Sequence, residues 1–369
     1  MSSKETAVRV GAEPLRRFCI QVFERLEVPN GDARIVADVL VAADLRGIDS
    51  HGVARLRRYV NSLRSGMARP RAQERILAET PTTTVIDAGA GLGHPVSYRA
   101  MQKAILKAKE YGSGFVTVRN SNHYGIAGYY AMMALEHDCI GMSMTNASVL
   151  VVPTFGRNAM LGTNPIAVAA PAGQERPFVL DMATSVVPRG KLEVYERLEK
   201  PIPLGWATDA AGIPTTDAGQ VLQDSRQGAG GGLLPLGGAG ELLSGHKGYG
   251  LALWVDVFCG VLAGAAYADL VYPRTEEGKP LPSQIGHFFG AWRVDAFRPV
   301  DEFKAAMDDL QRRLKSAPKA EGASRIYIHG EKEYEETERR LRDGIPLNPK
   351  VAADLRALGK ELGITYDLE

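Results

Sequence analysis

The first 66 residues carry the hydrophobic pattern of amphipathic helices. Apolar residues recur three or four positions apart, a spacing that places them on one side of a helix. The runs are Leu15, Phe18, Val22 and Leu26; Ile35, Val36, Val39 and Leu40; and Leu56, Tyr59, Val60 and Leu63. The short sequence DSHG at 49–52 separates the second run from the third. We therefore expect a helical N-terminal segment that is interrupted at a histidine.

From residue 83 onward the pattern alternates between strands and helices. TTTVIDA and GFVTVRN have the short apolar runs of strands, and SYRAMQKAILKAKEYG between them has helical spacing. GIAGYYAMMALEHD reads as a second helix, and the further strand candidates are IGMSMTN, PIAVAAP, PFVLDMA, GHFFGAWRV and SRIYIHG. Near the C-terminus we expect a helix over 301–315 and another that starts at Pro349 with Asn348 as its cap. Such alternation predicts an α/β fold.

Composition and charge exclude several classes of function. The 369 residues include 44 basic and 43 acidic side chains, a balance that gives no concentrated positive field for nucleic acid or for an anionic membrane. The basic clusters RLRRY and QRRLK are flanked by acids, so we interpret them as solvated helix faces. The apolar stretch 249–268 contains Asp256 and several glycines, which favours a helix buried in the protein over a membrane span.

The three cysteines, Cys19, Cys139 and Cys259, have no paired spacing. A disulfide framework or a thiolate metal site is therefore not expected, and the N-terminus lacks the apolar core of a signal peptide. We expect a cytoplasmic protein without a metal ion.

GAGLGH at 89–94 lies between a predicted strand and a predicted helix, as a dinucleotide-binding Rossmann loop does. The G-x-G-x-x-G fingerprint needs glycine at position 94, where this chain has His94. The next strand ends in Arg119 and Asn120 instead of an acid that could bind ribose. We therefore predict an ordinary tight turn here.

Three other polar stretches could bind a ligand, although each has a simpler interpretation. RNSNHYG puts a histidine where a strand ends and a helix begins, which is also what a capping turn looks like. LGTNPIAVAAP and LDMATS are strands with polar ends that could share one edge. GHKGYG opens an apolar helix, where backbone N–H groups and a lysine could meet a phosphate, or where the lysine is simply exposed.

Taken together and in this order, the motifs carry more information than any one of them. DSHGVARLRRY, RNSNHYGIAGYY, GTNPIAVAAP, LDMATSVVPRGK, PIPLGWATDAAGIPTTD, LLPLGG and GHKGYGLAL closely resemble the malate/L-lactate (type 2) dehydrogenase family, from about residue 10 to 350. The resemblance implies NAD- or NADP-dependent interconversion of a small 2-hydroxy acid and its 2-oxo acid on a non-Rossmann fold. It also implies a homodimer with the active site near the subunit interface. We accordingly divide the chain into a helical segment (1–75), an α/β segment near the dimer interface (76–120), an NAD(P)-binding α/β domain (121–300) and a C-terminal segment that packs on the helical one (301–369).

The same resemblance assigns roles to individual residues. It implies that His51 is the proton donor, that His123 lies in the active site, and that Arg55 and Tyr59 bind the substrate. The residues expected to contact the cofactor are Thr163, Asn164, Met182, Ala183, Thr184, Ser185, Lys191, His246, Lys247, Gly330 and Glu331. The chain departs from the family pattern at HGE (329–331), at VPRGK (187–191) and in the longer GELLSGHKGYG, so these cofactor contacts rest on weaker matches. Ala147 stands where ureidoglycolate enzymes carry a lysine, which argues against that substrate.

Elementary chemistry is consistent with these roles. Reduction of a 2-oxo acid needs a hydride, a proton for the oxo oxygen and a grip on the carboxylate. If DSHG starts a helix, His51 and Arg55 are four residues apart and share one face. Asp181 is a candidate for orienting one of the two histidines. Two alternatives stay open at this point: a cyclic imino-acid reductase, which would use the same groups on a C=N bond, and a non-catalytic metabolite-binding homologue.

Overall fold

The computed structural model describes residues 8–368, which form a mixed α/β fold. The helices are α1 (Ala12–Glu24), α2 (Asn30–Leu45), α3 (Leu56–Arg64), α4 (Gly93–Tyr111), α5 (Ala127–Met132), α6 (Arg189–Arg197), α7 (Ala218–Gln227), α8 (Gly245–Asp256), α9 (Val300–Ser316), α10 (Glu331–Asp343) and α11 (Pro349–Leu362). The strands are β1 (Val8–Val10), β2 (Arg75–Glu79), β3 (Thr83–Asp87), β4 (Ser113–Ser121), β5 (Cys139–Thr145), β6 (Ile166–Ala170), β7 (Phe178–Met182), β8 (Ala207–Thr208), β9 (Pro214–Thr215), β10 (Gly232–Leu233), β11 (Ile285–Arg293) and β12 (Ile345–Leu347).

A seven-stranded sheet forms the centre of the molecule, with strand order β2-β3-β4-β11-β5-β6-β7. β3 and β4 run parallel and are joined by α4, and the other neighbouring strands of this sheet pair antiparallel. The strands predicted at TTTVIDA, GFVTVRN, IGMSMTN, PIAVAAP, PFVLDMA and GHFFGAWRV are all confirmed. The strand predicted at SRIYIHG is wrong: residues 323–328 are irregular, and a single bond from the Val179 N–H to the His329 carbonyl (3.1 Å) ties this segment to β7.

The two ends of the chain share one hydrophobic core. Buried residues of α1, α2 and α3 pack with Ile345 and Leu347 of β12 and with Leu355 and Leu358 of α11. β1 pairs antiparallel with β12, which adds backbone hydrogen bonds between the two ends. The Asn348 side chain accepts a bond from the Lys350 N–H (2.9 Å), so the predicted cap of the last helix is confirmed. The division into four segments stays a prediction.

The turn at 89–94 packs closely against the segment that follows β4. α4 begins at Gly93, and a Cβ atom at that position would lie 2.1 Å from the carbonyl oxygen of Asn122. His94 is fully buried directly behind it. The N-terminus of α4 is therefore covered by the chain that follows β4.

A second, smaller core lies beside the sheet. Leu192 of α6, Leu222 of α7, Ile202 and Leu233 are buried in it, together with Ala252 of α8. The loop that contains LLPLGG runs along this core, and Leu234 is also buried, whereas Leu236 is 40% exposed. This arrangement places α8 between the smaller core and the central sheet.

α8 is only partly buried, in contrast to the burial expected for 249–268. It ends at Asp256 and is continued by one π-helical turn, Val257–Val261. Exposed apolar side chains follow one side of this segment: Leu253, Trp254, Val257, Val261 and Leu262. Among residues 8–368, no helix has the length and apolarity that crossing a membrane requires.

Candidate active site

The segment around His51 is a tight turn that the interior of the protein holds in place. The chain leaves α2 at Leu45, turns through Ser50 and His51, and forms a 3₁₀ turn over Val53–Arg55 before α3 begins. The buried carboxylate of Asp44 accepts a hydrogen bond from the Val53 N–H (2.8 Å), and a Cβ at position 52 would lie 1.9 Å from that carboxylate. Glycine in the SHG motif is therefore required by close packing.

His51 and Arg55 come together by a route that differs from the predicted one. They do not share an α-helical face, because α3 starts only at Leu56. Instead, the Arg55 Nε donates to the Ser50 carbonyl (2.7 Å), so the guanidinium folds back toward the turn. The Ser50 hydroxyl lies 2.8 Å from Nδ1 of His51. Helical spacing gave the correct neighbours for the wrong geometrical reason.

His123 lies in the loop between β4 and α5, where its hydrogen bonds fix the position of its ring proton. Its Nδ1 accepts from the Gly125 N–H (3.2 Å) and lies 2.7 Å from the Tyr59 hydroxyl. Because a backbone N–H can only donate, Nδ1 is an acceptor and the neutral ring carries its proton on Nε2. The Tyr59 hydroxyl must then be the donor in the second bond.

The rings of His51, His123, Tyr59 and His94 form a small aromatic cluster. The His51 and His123 rings stack with centroids 5.7 Å apart, and the fully buried His94 contacts the Tyr59 ring edge-on at 4.7 Å. Burial, together with the charges of Arg55 and Arg58, lowers the pKa of His51 to about 4. Burial and the same kind of neighbouring positive charge hold the pKa of His123 well below its usual value. Both rings are therefore neutral at pH 7 in the ligand-free protein.

A cavity of about 220 Å³ opens beside this cluster. His123 and Tyr59 line one wall, and Tyr272 and Ser283 line another. Arg58 also lines it, and its Nη2 lies 3.4 Å from the Tyr272 hydroxyl.

Sequence reasoning missed several of these lining residues. Arg58 had been assigned to a solvated helix face, although it lies three residues after Arg55 and so on the same side of the chain. Tyr272 and Ser283 come from an irregular stretch more than 200 residues away, so no local pattern could point to them.

Asp181 makes a different contact from the one expected. Its carboxylate accepts from the Gly128 N–H (2.7 Å) in the first turn of α5, and thus caps the helix that follows His123. Among the described residues, the ring nitrogens of His51 and His123 form hydrogen bonds with Ser50, Tyr59 and Gly125, not with Asp181. A catalytic role for Asp181 stays a prediction.

Two of the segments expected to bind cofactor, DMATS and the start of α8, pack on the same loop, residues 234–238. The Leu236 N–H donates to the Thr184 carbonyl (2.8 Å), and Ser185 pairs with Pro235, so the DMATS segment lies along the 234–238 loop. The same loop packs on the start of α8, where a Cβ on Gly248 would lie 2.2 Å from the Leu236 carbonyl oxygen. His246 and Lys247 are exposed in the first turn of α8, and Met182, Ala183 and Lys191 also keep accessible surface.

Other predicted cofactor residues face the interior or lie elsewhere. The Asn164 side chain is fully buried and donates to the Ala252 carbonyl (3.0 Å), and its oxygen accepts from the Ala147 N–H (3.2 Å). The Thr184 hydroxyl donates to the carbonyls of Thr163 and Asn164. The Asn164 and Thr184 side chains are therefore engaged within the protein.

Gly330 and Glu331 lie beside the beginning of β7, next to Val179. Glu331 accepts from the Ile328 N–H (3.0 Å) and pairs with Lys315 and Arg325. Its carboxylate is thus already engaged within the chain.

Comparison with known proteins places this geometry in a family. The family model for malate/L-lactate dehydrogenase matches residues 10–356. The chain is 49% identical over 360 residues to a malate dehydrogenase of Pyrococcus horikoshii, covering 98% of this chain and 97% of that protein. It is 38% identical to an L-sulfolactate dehydrogenase of Methanocaldococcus jannaschii, covering 95% and 96% of the two chains. The solved structure of malate dehydrogenase from Pyrococcus horikoshii superposes with a TM-score of 0.88 at 45% identity, covering 99% of this chain and 98% of that one.

Proposed function

We propose, because the chain belongs to the malate/L-lactate dehydrogenase family, that the cavity beside His123 holds the substrate and that His51 exchanges a proton with this substrate. The chain is a 2-hydroxy acid dehydrogenase, as its full-length similarity to malate and sulfolactate dehydrogenases shows. The observation that carries the site assignment is the stacked pair of neutral histidines next to two arginines and a cavity.

Arg55 is suited to hold the carboxylate that every 2-hydroxy and 2-oxo acid carries. Its Nε is used by the Ser50 carbonyl, which leaves the two terminal nitrogens for a ligand. Among residues 8–368, no carboxylate lies within 4.0 Å of its guanidinium. A planar guanidinium can bind a carboxylate through two parallel hydrogen bonds. The 2-oxo group would then be held next to the histidine pair.

The two histidines differ in their capacity to move a proton. The Gly125 N–H and the Tyr59 hydroxyl lock the proton of His123 on Nε2, where it can donate a hydrogen bond to the substrate. The only partner of the His51 ring nitrogens is the Ser50 hydroxyl, within the described chain, and a hydroxyl can either donate or accept. His51 can therefore gain and lose a proton at Nε2 without breaking a bond to the backbone.

The negative charge of a bound substrate makes His51 easier to protonate. In the oxidation of a hydroxy acid, neutral His51 is already the base that the reaction needs. In reduction His51 must first be protonated, and a carboxylate bound at Arg55 favours this because it offsets the positive charge that lowers the His51 pKa.

The start of α8 and the DMATS segment are suited to hold a nicotinamide cofactor. Helix N-termini bind anions through unpaired N–H groups, and Lys247 adds a positive charge that is exposed there. Within the described range Lys247 has no carboxylate within 4.0 Å. When bound, the cofactor supplies the hydride. We propose that NAD or NADP binds here and not on the closed turn at 89–94, so that its binding mode is non-Rossmann.

We further propose that the active form is a homodimer. The loop LLPLGG, which first suggested this, is largely covered within the chain, since Leu233 and Leu234 are buried. The exposed face of α8 and its π turn gives a stronger reason, because Val257, Val261 and Leu262 are each about half exposed. A contiguous apolar face of this kind marks a protein–protein contact. It precedes the segment that carries Tyr272, so a partner would sit close to the cavity.

A nicotinamide absorbance assay tests the proposed function directly. NADH and NADPH are each offered with a panel of 2-oxo acids and cyclic imino acids. We expect oxidation of one cofactor with 2-oxo acids that exceeds any rate with the imines. Turnover of the imines alone would assign the chain to the cyclic imino-acid reductases of the family, and no turnover at all would support a non-catalytic homologue.

A further inference from the structure

The arginines of α3 that face α11 pair with acids, whereas the arginines near the cavity do not. Arg57 pairs with Asp354 (2.8 Å) and Glu361 (2.7 Å), and Arg64 pairs with Glu361 (3.1 Å). Arg55 and Arg58 have no carboxylate within 4.0 Å in the part of the chain that the structure describes. The charge of Glu193 acts on Arg55 from beyond ion-pair distance. Arg58, which lines the cavity, and Arg55, three residues before it, are thus left without an ion-pair partner among the described residues.

Arg58 is half-buried, so a ligand that fills the cavity and displaces water from its guanidinium must supply a counter-charge. Within residues 8–368 its hydrogen-bond partner is the Tyr272 hydroxyl, at 3.4 Å, and none of the residues that line the cavity is acidic. Burying a charged group without a partner is strongly unfavourable in general. The Tyr272 hydroxyl donates no bond to any described residue and can add a second donor for an anion.

Two other polar side chains that line the cavity, Asn122 and Ser283, are already satisfied within the chain. The Asn122 amide donates to the Gly91 carbonyl (2.9 Å), and its oxygen accepts from the Ser283 hydroxyl (2.7 Å). They offer little to a second charged group of a ligand. Apart from the Nε2–H of His123, the polar groups of the cavity that are left for a ligand are therefore those of Arg58 and Tyr272.

We propose that Arg58, with Tyr272, binds a second anionic group of the substrate and so makes this enzyme selective for dianionic 2-oxo acids. The proposal rests on the proposed function, in which Arg55 holds the carboxylate that all substrates share. Arg58 is then the specificity-determining residue, and the preferred substrate carries a carboxylate or sulfonate further along its chain. Lactate-like and cyclic imino acids, which have one negative charge, leave Arg58 uncompensated.

Two probes of equal chain length isolate the second charge. Oxaloacetate has a carboxylate where 2-oxobutyrate has a methyl group, and both have the same 2-oxo acid head. For the unmodified enzyme we expect kcat/KM for oxaloacetate to exceed that for 2-oxobutyrate by at least about 10- to 100-fold, the range typical of a hydrogen bond to a charged group. A ratio near one, or a preference for 2-oxobutyrate, would overturn the proposal without any variant.

The variants then assign the preference to Arg58. Arg58→Gln should lower the oxaloacetate to 2-oxobutyrate ratio about 10- to 100-fold, and Arg58→Lys should retain part of it. Arg64→Gln, on the other side of the same helix, should leave the ratio as it is. An equal loss with both substrates in Arg58→Gln would instead mean that Arg58 holds the shared carboxylate or supports the fold. If the unmodified enzyme reduces no 2-oxo acid at all, the proposed function fails, which is a distinguishable result.

Discussion

The histidines of the site lie in surroundings that resist their protonation, and this has consequences for pH dependence. Burial, together with the charges of Arg55 and Arg58, lowers the pKa of His51 to about 4. Oxidation of a hydroxy acid requires the neutral ring as base. Since kcat/KM reports on the free enzyme, the neutral form should persist well below the usual histidine range.

We therefore expect kcat/KM for hydroxy-acid oxidation to stay level as the pH falls from 8 to about 5, with no drop near 6.5. Arg58→Gln removes one of the two cations that help to lower the His51 pKa, so the fall of kcat/KM at acid pH should move to higher pH in this variant. A fall in kcat/KM centred near pH 6.5 in the unmodified enzyme would show that His51 is not held neutral in this way.

His94 gives a second, purely structural consequence of burial. It is fully buried with no partner for either ring nitrogen within the described chain, and burial lowers its pKa to about 3. The unfolded chain takes up a proton on this group below about pH 6.5, whereas the folded protein does not. The stability that depends on neutral His94 is thus complete above that pH and is lost as the pH falls toward 3.

Chemical unfolding at pH 7 and pH 5 measures this effect. His94→Phe keeps a ring of similar size and should reduce the loss of unfolding free energy between the two pH values by about 2 kcal/mol. His137→Gln, at an exposed histidine, is the matched control and should change this loss of unfolding free energy little. The same pH dependence with and without His94 would contradict the expectation.

At the scale of elements, the start of α8 depends on one close contact. Gly248 faces the 234–238 loop so closely that a Cβ would lie 2.2 Å from the Leu236 carbonyl oxygen, while Gly250 in the same helix has open space around it. This loop is bonded in turn to Thr184 of the DMATS segment. A side chain at 248 must therefore displace the 234–238 loop, which lies between the two segments that we propose bind the cofactor.

Gly248→Ala should raise the KM for the nicotinamide cofactor more than the KM for the oxo acid. Gly250→Ala is the matched control: it should leave both KM values in place and stabilise the helix by about 0.5–1 kcal/mol, since alanine replaces glycine in a helix interior. If Gly248→Ala affects only the oxo-acid KM, the start of α8 belongs to the substrate cavity.

Some helices and strands were predictable from local sequence, and others were not. Strands such as β4 and β11 were predictable because their apolar runs are local, and α11 because Asn348 and Pro349 mark its start. α10 was missed because its sequence, EKEYEETERRLRD, is almost entirely polar. The edge strand β2 was missed because all five of its residues are exposed and lack the apolar alternation of a buried strand.

The site was predictable only where its residues lie within motifs. His51, Tyr59 and His123, which the motifs predicted as site residues, lie next to one another, and Arg55 bonds to Ser50 beside His51. Their relative geometry was not predictable, because the turn at 49–53 is set by Asp44, a buried acid outside the motif. Tyr272 was not predictable either, since tertiary packing alone brings it to Arg58.

At the scale of the whole molecule, the exposed apolar face of α8 tests the proposed dimer. Val257 and Val261 are 49% and 59% exposed, so lysine at both positions should not disturb the fold of the single chain. If this face is the dimer contact, Val257→Lys combined with Val261→Lys should shift sedimentation from dimer to monomer. Leu106→Lys, at an equally exposed position on α4, is the control and should remain a dimer. An unmodified enzyme that sediments as a fully active monomer would contradict the proposal.

In our proposal His51 exchanges a proton with the substrate next to His123, which lines the cavity. It is tested most directly by the rate of a single turnover, followed by nicotinamide absorbance, in His51→Ala. We expect cofactor and oxo acid to bind nearly as they do to the unmodified enzyme, and the rate to fall by about 10²- to 10⁴-fold, the usual cost of removing a general acid. A near-normal rate in His51→Ala would contradict the claim and would make His123 the next candidate.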